Sequence, residues 1–129
     1  MDSLFKIDGR AFSGVGVEKL QRSFRIPNGP NSGEMLSGET ERDIVGTYYD
    51  YSLTLTAHLL PDSEYNALFE ILSAPVSSHR VELPYGLASI VFDGMIESGS
   101  DELIPMDSGT WWGNLNVEFR AKRPQRIAD

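Results

Sequence analysis

This sequence has no cysteine. Disulfides and zinc–thiolate sites are therefore excluded, and the composition suits a protein made in a reducing cytoplasm. Histidine is scarce. His58 and His79 are the only two, and neither has a carboxylate at metal-ligand spacing beside it, so we expect no metal site. No stretch approaches the roughly 20 apolar residues that span a bilayer, and no membrane partner is expected. Met1-Asp2-Ser3-Leu4-Phe5-Lys6 is not a basic segment followed by an apolar one, which argues against a Sec signal peptide. Basic residues are outnumbered, with 11 Lys and Arg against 19 Asp and Glu and a net charge of −8. Phosphate binding needs clustered bases, so specific nucleic-acid binding is not expected.

Catalytic constellations are missing too. There is no Gly-x-Ser-x-Gly elbow, and Ser13-Gly14-Val15-Gly16-Val17 lacks the strand–loop–helix setting of a phosphate cradle. Asp101, Glu102 and Asp107 do not follow the alternate-oxygen spacing of a calcium loop. These absences predict a protein that is not an enzyme and has no cofactor.

What is present is β-type pattern. Arg42-Asp43-Ile44-Val45-Gly46-Thr47-Tyr48-Tyr49-Asp50-Tyr51-Ser52-Leu53-Thr54-Leu55-Thr56 is rich in Tyr, Thr and Val, which fit a pleated, half-buried surface. From Tyr51 on, Tyr51, Leu53, Leu55 and Ala57 share one face, and Ser52, Thr54 and Thr56 the other. Its first half, Arg42 to Tyr49, does not alternate cleanly. Upstream, Asp8-Gly9 between two short arms reads as a type I′ hairpin. In Val15 to Ile26 the apolar parity changes near Glu18-Lys19, which predicts a bulge.

Pro27 to Glu41 reads as a loop of about 15 residues without structure of its own. Its Met35 and Leu36 either fold back on the core or dock on a neighbouring subunit. Asp62 or Ser63 caps a helix over 62–73, with Tyr65, Leu68, Phe69 and Leu72 on one stripe and Pro75 beyond its end. Strands follow at His79–Tyr85, Ser89–Glu97 and Trp111–Ala121, and Ser98 to Thr110 reads as a second irregular stretch.

The 129 residues form one domain, 1–129, with no repeat or linker. The fold class is mainly β (α+β): an antiparallel β-sandwich or barrel of about six to eight strands with one flanking helix.

Two features point to surfaces. If the last strand is regular, Trp111 joins Leu115, Val117, Phe119 and Ala121, and Trp112 joins the polar face. Trp112 then sits at a subunit contact, lies on the plain surface or under the helix, or carries a carbohydrate-binding site. Arg120, Lys122, Arg123 and Arg126 crowd the last ten positions, and this cationic tail is either a solvated strand end that aids solubility or a complement to an acidic face of another copy.

A resemblance goes further. Gly33-x4-Gly38 followed by Arg42 to Tyr51, Ser73-Ala74-Pro75-Val76-Ser77-Ser78-His79, Leu83-Pro84-Tyr85-Gly86 and Pro124-Gln125-Arg126 together resemble a family of small prophage proteins. These are encoded among the tail genes of long-tailed phages of Gram-positive bacteria. The likeness covers about Val17 to Arg126, and the order and spacing of the motifs carry it. It implies a tail-tube-like fold and a virion structural protein of a long non-contractile tail: a tube, distal-tail or adaptor subunit, made in the host cytoplasm. Its partners would be itself, in a ring that is commonly a hexamer, and other tail proteins. The acidic balance would suit a conduit for DNA.

On that reading Asp43, Ile44, Tyr48 and Tyr49 join an intersubunit sheet. Met35, Leu36, Ile104 and Met106 lie on contact loops, and Trp112, Arg123 and Arg126 complete the candidate interface. The other reading is a carbohydrate- or receptor-binding sandwich of a phage baseplate.

Overall fold

The alternation in the sequence becomes strands in the computed structural model of the chain, which describes residues 5–12, 15–29, 33–34, 38, 40–56, 62–106 and 109–127. β1 (Lys6–Ile7) and β2 (Arg10–Ala11) are the arms of the expected hairpin. Asp8 and Gly9 between them have φ of +54° and +82°, as a type I′ turn requires. β3 (Gly16–Arg25) follows, then a small ribbon of β4 (Gly33–Glu34) and β5 (Thr40–Glu41), then β6 (Gly46–Thr56). The helix α1 spans Asp62–Leu72, and β7 (His79–Tyr85), β8 (Ala88–Met95), β9 (Gly99–Met106), β10 (Gly109–Ala121) and β11 (Arg126–Ile127) complete the order.

The fold is mainly β and antiparallel with one helix, as the sequence predicts. Among the described residues the 11 strands exceed the expected number because β1, β2, β4, β5 and β11 have two residues each, too few to show a period.

Two layers face each other. One is β3-β6-β10-β9 and the other β2-β1-β7-β8. They join where Arg120 and Ala121 of β10 pair with Met95 and Gly94 of β8. Gly94 makes that corner close-packed, since a Cβ there would lie 3.1 Å from the Phe119 side chain and the ring would have to shift to admit it. Tyr51, Leu53 and Leu55 of β6 and Leu115, Val117 and Phe119 of β10 face Val81, Leu83 and Phe92 across the core. The Tyr51 ring stacks on Phe92 with centroids 5.8 Å apart, and its hydroxyl donates to the Pro84 carbonyl. Tyr65, Leu68 and Leu72 insert from α1. Each such buried side chain contributes about 1.5–3 kcal/mol. Phe69, expected on the same stripe, is exposed.

Four local expectations change. The central strand starts at Gly46; of Arg42–Val45, only Ile44 forms a bridge, with Asn28. The 27–41 stretch carries the β4–β5 ribbon, so it is not structureless. Met35 and Leu36 lie outside the described residues.

Ser98–Thr110 is not irregular either. It holds β9, whose polar, Pro-containing sequence hides a strand. Pro105 fits there because an edge strand tolerates a missing donor. The bulge expected near Glu18-Lys19 is present between Val17 and Lys19.

A second bulge reverses the face expected of Trp112, while the Trp111 side chain lies outside the described residues. Between Gly113 and Asn116 the β9–β10 register shifts by one residue, and Asn114 adopts φ +53°. The extra residue flips parity. Trp112, paired with Leu103, is therefore on the same side of the sheet as Leu115 and not on the expected polar face.

Candidate assembly interface

β6 is the spine of the larger layer, and its first turn of residues is occupied on both sides. On one side Phe24 pairs with Tyr49 and Arg25 with Tyr48; on the other Arg126 pairs with Thr47 and Ile127 with Gly46. The β11 strand comes so close that a Cβ on Gly46 would lie 2.5 Å from the Arg126 carbonyl oxygen. Between β10 and β11 the main chain bulges away, and the Gln125 side chain takes its place. Its Oε1 accepts from the Tyr49 amide at 2.9 Å, and its Nε2 donates to the Tyr49 carbonyl at 3.0 Å.

One residue on, Asp50 is 6 % exposed. It accepts from the Ala121 amide at 2.9 Å and from Arg25 Nε at 2.8 Å. Arg25 also donates to the Ala121 carbonyl and lies over the Tyr48 ring, 4.3 Å from its centre. The segment Gly46–Tyr49 therefore has no open edge for a neighbour's strand, contrary to the expected intersubunit sheet.

The open edges lie elsewhere. Among the described residues, β3 pairs only with β6 and β9 only with β10. β3 is a ten-residue edge carrying Lys19, Arg22 and Arg25 against Glu18. β9 carries Asp101 and Glu102, and from Glu97 to Phe119 the sequence has no Lys or Arg. Directions alternate across β3, β6, β10 and β9. A second identical sheet placed with its β3 against β9 would continue that antiparallel alternation. β9 is displaced along the strand axis, since its Gly99 and Ser100 lie level with Val117 and Asn116 of β10 while the remainder runs past β6. Closed barrels require a stagger of this kind.

The layer's outer face is polar. Lys19, Gln21, Ser52, Thr54, Asn116 and Glu118 line a shallow concavity of about 630 Å³, with Thr54 hydrogen-bonded to Asn116.

The two ends of the strands differ in charge and both expose apolar side chains. At the end where β10 passes into β11, Phe24 is 68 % and Ile127 81 % exposed, and Ile26, Ile44 and Val45 are also exposed. Arg22 lines a hollow with Phe24, Arg42 donates to the Ile26 carbonyl, and Arg126 adjoins Ile127 in β11. Arg22 lies over Tyr85, which meets Tyr49 edge-on at 5.4 Å. Hydrogen bonds with Tyr85 and then Arg126 hold the Tyr49 hydroxyl below the usual tyrosine range.

At the opposite end Gly109–Gly113 pair, among the described residues, with β9 alone. This two-stranded arm exposes 53 % of Leu103 and 41 % of Trp112. Its base is tied to α1 by the Tyr65 hydroxyl, which donates to Asp101 at 3.0 Å. Burial first, then the Asp101 carboxylate, pushes the Tyr65 phenol well above its ordinary value.

The remaining expected interface residues are placed as follows. Asp43 is half-buried against Gly29, whose amide donates to its carbonyl. Ile104 is half-buried on the arm. Met106 ends β9, and its side chain is outside the described residues. Arg123 pairs with Asp93 at 3.1 Å. Phe24, Leu103 and Ile127 were not singled out by sequence. Their exposure depends on where neighbouring strands stop, which pattern alone does not give.

Among the described residues no three His, Asp or Glu side chains converge on a metal-sized site, and no helix is long and apolar enough to cross a membrane. No family model, curated protein or solved structure matches this chain.

Proposed function

We propose that this protein is a self-assembling structural subunit of a long non-contractile phage tail, as a tube, distal-tail or adaptor protein, and that it works without catalysis. The observation that carries the self-assembly is the pair of open edges on one layer, β3 and β9. They are matched in strand direction and opposite in charge. Contact between two different edges of identical copies is heterologous, and it closes into a ring where the rotation permits. β-Strand addition supplies main-chain hydrogen bonds across such a joint. The polar outer face would line the bore. Lys19 and Glu118 balance each other in its concavity, and beside it Arg25 and Arg120 stand against Asp50 and Glu97, so the bore would be nearly neutral and not acidic. The assignment to a tail rests on the sequence resemblance.

Electron microscopy of the concentrated full chain tests the reading. Rings are expected, and each of the exposed-edge reversals Lys19→Glu and Glu102→Lys should reduce them, with partial recovery when the two are combined. A single exposed ion pair contributes only about 0.2–1 kcal/mol, but the effect recurs at every joint. Monomers at all concentrations, or edge variants that assemble like the parent, would overturn the proposal.

A further inference from the structure

We infer that the cleft at the mouth of the sandwich, where Arg22, Arg126, Tyr49 and Tyr85 meet, binds a small phosphate monoester carried on a planar ring. The inference does not rest on the self-assembly reading.

Alternation builds the cleft. Arg22 and Phe24 of β3 pair with Tyr51 and Tyr49 of β6, so all four side chains leave the larger layer on the side that faces β7. Tyr85 ends β7 and closes the cleft from the other layer. The space between is about 330 Å³, at the lower end of the range for small-molecule sites.

Its two cations are held in place. Arg22 lies over the Tyr85 ring at 5.2 Å and hydrogen-bonds the Tyr51 hydroxyl. That hydroxyl gives its own proton to the Pro84 carbonyl. Arg126 reaches the cleft from β11 and hydrogen-bonds the Tyr49 hydroxyl, which also shares a hydrogen bond with Tyr85. Both positive charges act on the Tyr49 and Tyr85 hydroxyls. Among the described residues no carboxylate pairs with Arg22. Asp50, the acid next to Tyr49 in sequence, projects to the other side of β6 and is bonded to Arg25 and Ala121. Two guanidiniums and two phenol hydroxyls thus converge on one cleft.

The chemistry selects the ligand. Guanidinium forks match the oxygens of a phosphate, and a dianion answers two of them better than a carboxylate does. Phe24, 68 % exposed at the cleft, and Tyr85 offer aromatic faces to a ring that carries the phosphate. The net charge of −8 disfavours a long polyanion, which leaves a small monoester.

Calorimetric titration of the full chain with phenyl phosphate tests this, at about pH 7.5 where a monoester is doubly charged. Inorganic phosphate lacks the ring, and phenyl glucoside lacks the charge. Phenyl phosphate should bind with a Kd of about 1 mM or tighter, and more tightly than either comparator. Arg22→Gln should weaken it about tenfold through loss of a charge-assisted fork. Lys122→Gln makes the same charge change on an exposed residue outside the cleft, and should alter binding by less than about twofold because salt screens distant charges. Phe24→Ala truncates a side chain that is already exposed, so the fold should survive. It should weaken phenyl phosphate and leave inorganic phosphate unchanged. No saturable binding of phenyl phosphate, equal binding of inorganic phosphate, or equal losses in the Arg22 and Lys122 variants would overturn the inference.

Discussion

The side-chain amide of Gln125 hydrogen-bonds both the N–H and the C=O of Tyr49. It serves as the missing peptide group of a ladder from which the main chain has bulged out. On one side of it Ala121 has turned toward β8, and on the other Arg126 has returned to pair with Thr47. The sheet thereby stays closed along the first half of β6.

Gln125→Ala should cost about 1–3 kcal/mol, because it leaves two part-buried main-chain groups without partners. Gln125→Glu should recover little, since a carboxylate accepts from the Tyr49 amide but cannot donate to its carbonyl. Urea unfolding midpoints at neutral pH measure both.

Asp50 and Arg25 should respond unequally. Asp50→Ala removes the acceptor for the buried Ala121 amide and the partner of Arg25, and a loss of roughly 3 kcal/mol is expected. Arg25→Ala leaves Asp50 still bonded to Ala121 and, with Arg25 a third exposed, should cost roughly 1 kcal/mol. Thermal or denaturant unfolding of the two variants should show this order.

The hairpin turn should make stability depend on acid. Asp8 receives the buried His79 Nδ1 at 2.8 Å and the Arg80 amide at 3.0 Å. Burial pushes the Asp8 carboxyl up, but these hydrogen bonds and the His79 charge outweigh it and hold it below its ordinary value. Its stabilisation is therefore present above the unfolded value of about 3.9 and lost as pH falls through the lower folded value. Denaturant midpoints should drop below about pH 4, and Asp8→Asn should flatten that part of the curve.

Tyr65→Phe should loosen the arm more than the core. It keeps the buried ring and deletes only the bond to Asp101, at about 1 kcal/mol. Amide hydrogen exchange should accelerate in 99–106 while 79–85 stays protected.

Strand existence was legible wherever one face is buried. Tyr51, Leu53 and Leu55 alternate because each odd residue meets the core, and Val81, Leu83 and Phe92 obey the same rule. The Asp8-Gly9 hairpin, the helix and the Val17–Lys19 bulge were readable from local chemistry. β9 was not, because its partner is on one side only and its residues have no dry face to repeat. The side taken by Trp112 was not readable either, because one residue at Asn114 inverts the parity.

The sequence by itself determined the class of fold, the single helix, the lack of thiol chemistry and the separation of acids and bases along the last strand. These follow from composition and from periods of two and 3.6 residues, which local geometry imposes. Only the tertiary structure decided that Gly46–Tyr49 is sealed, that β3 and β9 are the long open edges of the larger layer among the described residues, and that Phe24 and Ile127 are exposed at the end opposite Leu103. Edges and exposure are properties of which strand lies beside which. That is set by long-range packing across a shared core, and no stretch of the chain carries it alone.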